Sequence, residues 1–169
     1  MSSPRIPLLL KPCRRNDVRA AILTLALLTP AAGAISEVTS LEGHGGPVMS
    51  VAVAPDGGTA LTSSFDNSVG YWSLSTGEVT WLEGHEAAVK TVIFLTDGRA
   101  ASAGDDFDVR LWDPESATPQ PVLTGHQGQV KSLAVSNDGR LLASAGWDGA
   151  VGLWDLSTNE HVGFFQGHN

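Results

Sequence analysis

The chain has 169 residues, 42 % of them hydrophobic and 17 % charged, with 19 glycines and one cysteine. That length suits one domain, the apolar share excludes a disordered chain, and a lone cysteine excludes a disulfide framework, a Cys-rich zinc site and a Cys-x-x-Cys-His haem attachment. The formal net charge of −8 is unevenly divided: residues 1–34 hold five bases against Asp17, which leaves residues 35–169 at −12. So acidic a body repels phosphate backbones, and no nucleic-acid partner is expected.

The first predicted element is an export signal over residues 1–34. Arg5, Lys11, Arg14, Arg15 and Arg19 precede the apolar run Ala20–Leu28, and Ala32-Gly33-Ala34 supplies the small-x-small pattern of a cleavage site after Ala34. The uncharged stretch Ala20–Ser36 is 17 residues long and interrupted by Pro30, which is short and broken for a bilayer span. Arg14-Arg15 is followed by Asn16-Asp17-Val18, a poor twin-arginine context, and Cys13 lies before the apolar run, which disfavours a lipid anchor. The expected mature chain is periplasmic or secreted, with no membrane attachment after cleavage. It is cytoplasmic only if residues 1–34 are not a signal.

Next comes Val38-Thr39-Ser40-Leu41-Glu42-Gly43-His44, which differs at one position in seven from Val79-Thr80-Trp81-Leu82-Glu83-Gly84-His85. Residues 38–42 are therefore predicted as a lone outer strand. From there the chain repeats. Gly-His recurs at His44, His85, His126 and His168, at intervals of 41, 41 and 42 residues, a period that marks stacked or radial repeats. Each unit opens with an apolar-alternating strand (48–53, 89–95 and 130–135) and turns at Asp56-Gly57, Asp97-Gly98 or Asp138-Gly139. A second strand follows, then a third ending at Trp72, Trp112 or Trp154, and a fourth leads to the next Gly-His. Four short antiparallel strands in ~41 residues make one propeller blade. The repeats span about 41–82, 83–123 and 124–165.

These units resemble the WD-repeat (WD40) β-propeller family. The resemblance rests on Gly-His at the start of each unit and on Leu111-Trp112-Asp113 and Leu153-Trp154-Asp155 at the end, with Trp72-Ser73 departing in the first unit. It covers residues 36–169 and, with the leading segment, points to the N-terminal part of an exported bacterial member. The implied fold is all-β: a partial or open propeller of three four-stranded antiparallel blades plus the lone N-terminal outer strand. The chain reaches Gly167-His168-Asn169 where a fourth blade would begin, so a longer propeller is expected, with self-association through open blade edges as the other expectation.

The resemblance also implies an internal tetrad of His, Ser or Thr, Asp and Trp in each blade. The matching residues are His44, Thr62, Asp66 and Trp72, then His85, Ser102, Asp106 and Trp112, then His126, Ser144, Asp148 and Trp154. Asp stands four after Ser/Thr and Trp six after Asp in all three. A set recurring every 41 residues is structural rather than a hydrolase triad, and no Gly-x-Ser-x-Gly elbow accompanies it. The histidines fall one per blade, too far apart to share a metal ion. Asp105, Asp106 and Asp108 lack calcium-loop spacing and a bidentate Glu. No catalytic, metal or cofactor site is expected.

The implied function is a non-enzymatic scaffold for protein or peptide partners. The alternative is a domain or subunit accessory to an exported redox protein such as a c-type cytochrome. Strand alternation puts the Gly-His loops and the Asp66, Asp106 and Asp148 turns on one face. Residues flanking each leading valine, and the residue before each tetrad Asp, should point outward from it. They are Pro47, Met49 and Phe65, then Ala88, Lys90 and Asp105, then Gln129, Lys131 and Trp147. Phe65 and Trp147 are the expected anchors, with Lys90 and Lys131 steering an acidic segment.

Overall fold

Strands form where the apolar alternation runs. The computed structural model describes residues 40–116 and 120–167. The expected signal segment, Val38, Thr39 and His168 lie outside them. Among the described residues, twelve strands fall into three antiparallel sheets of four. The first sheet holds β1 (Val48–Val53), β2 (Thr59–Ser64), β3 (Val69–Ser73) and β4 (Val79–Leu82). The second holds β5 (Val89–Phe94), β6 (Ala100–Gly104), β7 (Val109–Trp112) and β8 (Val122–Leu123). The third holds β9 (Val130–Val135), β10 (Leu141–Gly146), β11 (Ala150–Asp155) and β12 (Glu160–Gln166). Each sheet runs in sequence order from first strand to fourth, as consecutive hairpins require.

The three first-to-second hairpins turn on the predicted Asp-Gly pairs. Gly57, Gly98 and Gly139 take left-handed φ of 72°, 88° and 72°, which glycine alone adopts without a Cβ clash. Asp56, Asp97 and Asp138 each accept the backbone N–H two residues on, closing an Asx turn. The inner hairpins also carry a bulge beside Met49, Lys90 and Lys131, since Val48 pairs with Ser64 while Ser50 pairs with Ser63, and the other two blades shift likewise. A bulge redirects the side chain at the rim of a sheet, here toward the Gly-His end.

Blades pack face to face through two apolar cores. Between the first and second lie Leu61, Val69, Leu82, Val89, Val92 and Ala100, with Tyr71 and Phe94 against them. Between the second and third lie Leu95, Ala101, Val109, Leu111, Leu123, Val130, Leu133 and Leu142 among others. The middle strand β6, Ala-Ala-Ser-Ala-Gly, is buried throughout. Small side chains there let neighbouring sheets approach on both sides, although none of them favours a strand intrinsically.

One segment departs from the expectation. Ser40, Leu41 and Glu42 belong to no strand. An outer strand needs the free edge of a third strand, and in the last blade β12 already occupies that edge of β11. The other departure is local. Phe107, in the turn after Asp106, is held at φ 70°, where the first blade has Asn67 at 70° and the third Gly149 at 74°. A bulky side chain in that region is strained by roughly 1–2 kcal/mol. Phe107→Asn is therefore expected to raise stability by about 1 kcal/mol, read as an upward shift of the urea midpoint with an unchanged slope.

Candidate functional site

In each blade a buried hydroxyl joins two rings. Trp72 Nε1 donates to Thr62 Oγ1 at 2.7 Å, Trp112 Nε1 to Ser102 Oγ at 2.7 Å, and Trp154 Nε1 to Ser144 Oγ at 2.9 Å. The same oxygens lie 2.6, 2.7 and 2.7 Å from Nε2 of His44, His85 and His126. On the far side of each imidazole, Nδ1 meets Asp66 at 3.1 Å, Asp106 at 2.6 Å and Asp148 at 2.8 Å. One proton arrangement satisfies every atom: Trp donates to the hydroxyl, the hydroxyl to Nε2, and Nδ1–H to the carboxylate. Oδ2 of each aspartate also accepts the N–H of the residue after the histidine: Gly45 at 2.6 Å, Glu86 at 3.2 Å and Gln127 at 2.9 Å. The Gly-His loop is thus tied to the turn between the second and third strands.

A lid over each tetrad comes from the third and fourth strands, and the sequence reading missed it. Gly70 pairs directly with Trp81, and Gly152 with Phe164. A Cβ on Gly70 would lie 2.6 Å from the Trp72 nitrogen, and one on Gly152 2.9 Å from the Phe164 ring. Trp81 sets its edge on His44 with centroids 4.9 Å apart, and the space at Gly152 lets Phe164 do the same on His126 at 5.0 Å. In the second blade Arg110 faces Val122 at the same register. There the guanidinium takes the covering role, 3.9 Å from Asp106 and 3.5 Å from Asp108. The legible signal was the pairing of glycine with an aromatic twelve residues or so later in two units, absent in the one that has arginine.

The positions expected to point outward sit beside the strand bulges and in the turns before each tetrad aspartate, but Ala88 is not outward: it lies in the middle blade, between two neighbours, and is buried. Phe65 N–H bonds the Pro47 carbonyl at 3.0 Å, Asp105 N–H that of Ala88 at 2.9 Å, and Trp147 N–H that of Gln129 at 2.9 Å. Phe65 is 56 % exposed, Trp147 75 % and Met49 43 %, whereas Ala88 is buried. Between the two aromatics runs a bridge across all three blades. Lys90 Nζ stands 4.7 Å from the Phe65 ring centre, and Lys131 Nζ 4.2 Å from that of Trp147. Both ammoniums meet Asp105, at 3.1 and 3.4 Å, and Lys131 also donates to Gln129 at 2.6 Å. Two lysines and one aspartate leave a single positive charge, so the pair is partly spent internally. Phe107, 41 % exposed on the neighbouring turn, adds a third exposed aromatic side chain that the sequence reading had not chosen.

The model of the family described as "WD domain, G-beta repeat" matches residues 35–73, 77–113 and 117–155. The chain belongs to the WD-repeat family. Its structure is similar to the solved structures described as U3-55K and as RRP9 WD40 repeats, each at 26 % identity, TM-score 0.73 and 76 % of this chain covered. The chain spans about two-fifths of those chains, 42 % and 41 %. No curated protein matches it. WD-repeat propellers serve as interaction scaffolds.

In this WD-repeat chain the tetrad aspartates are tuned by opposing effects. Burial raises the carboxyl of Asp66, but hydrogen bonds from Ser68, Gly45 and His44 outweigh it and hold the group far below the usual carboxylate range. Burial likewise raises Asp106 and Asp148, and their histidines and backbone N–H donors more than offset it. Asp108 goes the other way, raised by burial and by the Asp106 charge despite Arg110. A lowered carboxylate contributes stability above its unfolded value, about 3.9, and loses it as pH falls through the folded value. The three lowered tetrad carboxylates are expected to make unfolding free energy drop as pH falls below about 4, while the raised Asp108 works the other way and loses stability as pH rises from about 4 through its folded value; urea titrations at stepped pH will read both.

Two serine substitutions should diverge. Ser144→Ala strands His126 Nε2 and Trp154 Nε1, and each orphaned buried group costs about 1–3 kcal/mol. Ser63, one residue past Thr62, is fully buried with its Oγ unpaired, where the other blades have Ala103 and Ala145. Ser63→Ala should therefore be neutral or stabilise by up to about 1 kcal/mol. Paired denaturant melts of the two variants check both signs.

Proposed function

We propose that this WD-repeat chain is a non-enzymatic, exported interaction scaffold that takes a protein or peptide on its Gly-His end. The observation that carries the reading is the Phe65–Lys90–Asp105–Lys131–Trp147 bridge. Exposed aromatics held in place by neighbouring blades are costly to leave in water and lose little entropy on binding, which is what hot spots use. The lysines, anchored to Asp105, keep the rings from collapsing and carry one net positive charge toward an acidic segment. Five bases ahead of the Ala20–Leu28 run and the Ala32-Gly33-Ala34 site support export. N-terminal sequencing of the mature chain would start at Ile35 on this reading.

The test is Phe65→Ala and Trp147→Ala in a pull-down from periplasmic extract, with quantitative binding of the recovered partner. Each truncation is expected to cost at least ~2 kcal/mol of binding, about thirtyfold, and to leave the melting temperature near that of the parent. Trp154→Ala, inside a tetrad, serves as the contrast and should cost about 3–5 kcal/mol of stability. Unchanged recovery by both surface variants, or melting losses as large as that of the tetrad variant, overturns the reading.

A further inference from the structure

The two inner junctions between blades can be compared position by position at the end that carries the Asp-Gly turns. Between the second and third blades a guanidinium bridges the gap. Arg99, just past the Asp97-Gly98 turn, is held by Asp97 Oδ2 through its Nε at 2.8 Å. Its Nη2 donates to the Leu156 carbonyl of the third blade at 3.2 Å. Between the first and second blades the same repeat positions, 41, 41 and 42 residues earlier, carry Asp56, Gly58 and Pro114. Asp56 Oδ1 accepts the Gly58 N–H at 2.9 Å, as Asp97 Oδ1 accepts that of Arg99 at 3.1 Å. The carboxylate is there and the arginine is not.

In its place lies a cavity of about 280 Å³, lined among others by Asp56, Thr59 and Tyr71 of the first blade and Phe94, Thr96 and Glu115 of the second. Both blades are packed on each other here, so neither end face of the molecule contributes. Two carboxylates, three hydroxyls and two aromatic rings face this space, and no Lys, Arg or His is among the lining residues. Each of those polar side chains can accept a hydrogen bond. The group that fits therefore brings donors and positive charge. A guanidinium presents a planar fork of N–H donors and stacks on aromatic faces, whereas an ammonium is compact and strongly hydrated.

We propose that this cavity takes the side chain of an arginine from a partner polypeptide, its guanidinium standing where that of Arg99 stands at the neighbouring junction. Asp56, Thr96 and Glu115 are exposed, so the backbone that bears the arginine stays outside while the side chain enters. The room suits one long side chain. The site lies at the opposite end of the blades from the aromatic-lysine bridge and does not depend on it. The two ends select opposite charges: an acidic segment at the bridge, a basic one here.

The probe is a blocked tripeptide, acetyl-Gly-Arg-Gly-amide, titrated into the full chain and followed in a two-dimensional amide spectrum. Saturable shifts are expected at Thr59, Thr96 and Gly98 and none at Phe65 or Trp147, so failure here leaves the reading of the Gly-His end untouched. The citrulline counterpart, alike in shape but uncharged, is expected to bind at least about tenfold more weakly. Glu115→Gln should weaken the arginine probe, and Glu160→Gln, an exposed acid at the same end outside the cavity, should not. The decisive variant is Gly58→Arg. Gly58 takes no left-handed φ, and a Cβ there meets nothing nearer than 3.5 Å, so an arginine is accommodated. Supplied from within, its guanidinium should occupy the cavity and abolish probe binding without lowering the urea midpoint, whereas Gly58→Ala should bind the probe as the parent does. The proposal is overturned by absent shifts at the cavity, by equal binding of the citrulline peptide, or by equal losses in Glu115→Gln and Glu160→Gln. A folded Gly58→Arg chain that still binds fully overturns it as well. Free arginine binding more tightly than the tripeptide overturns the polypeptide as its source.

Discussion

The hydrogen bond between each Gly-His imidazole and the aspartate of the following turn is what the rest of the blade depends on. It joins two loops twenty-odd residues apart and is made under burial, where an unpaired carboxylate or imidazole is costly. Once Asp66, Asp106 and Asp148 hold their histidines and the adjacent backbone N–H, the loop before the first strand and the turn after the second become one rigid rim. The Ser or Thr hydroxyl and Trp carry that tie into the sheet, fixing the third strand against the second. Rim and sheet are then a single hydrogen-bonded unit.

Function grows from how the blades differ on that common frame. The tetrads repeat almost atom for atom. Their covers do not: Trp81 and Phe164 lie over the outer two, with Gly152 making room for Phe164, while Arg110 serves the middle one. The rim differs further. Asp105 stands where its neighbours have Phe65 and Trp147, and that difference sets a carboxylate between two lysines, each stacked on the aromatic of an adjoining or its own blade. A perfectly regular repeat would have placed three like residues there and no bridge.

The same repeat explains the end faces. A blade is a sheet with two apolar sides, so burial is complete only between neighbours. The middle blade has both, and its β6 is sealed throughout. Among the described residues the outer two each keep one side exposed, with Val48, Val51 and Val53 on one and Val151 and Phe165 on the other.

The sequence alone determined the elements and the tetrads. Strands, Asp-Gly turns and His–Ser/Thr–Asp–Trp sets are local or periodic, and a 41-residue period repeats each local signal until it is unmistakable. Strand alternation also led to nine expected rim positions, of which Ala88 is buried. Tertiary structure alone decided what those residues do to one another. That Lys90 reaches Phe65, that Asp105 holds both lysines, and that Val51 is bare while Val92 is sealed all depend on the placement of one blade against the next. No local pattern encodes that placement. It is set by side-chain volumes packed between sheets, and residues from distant parts of the chain determine it together.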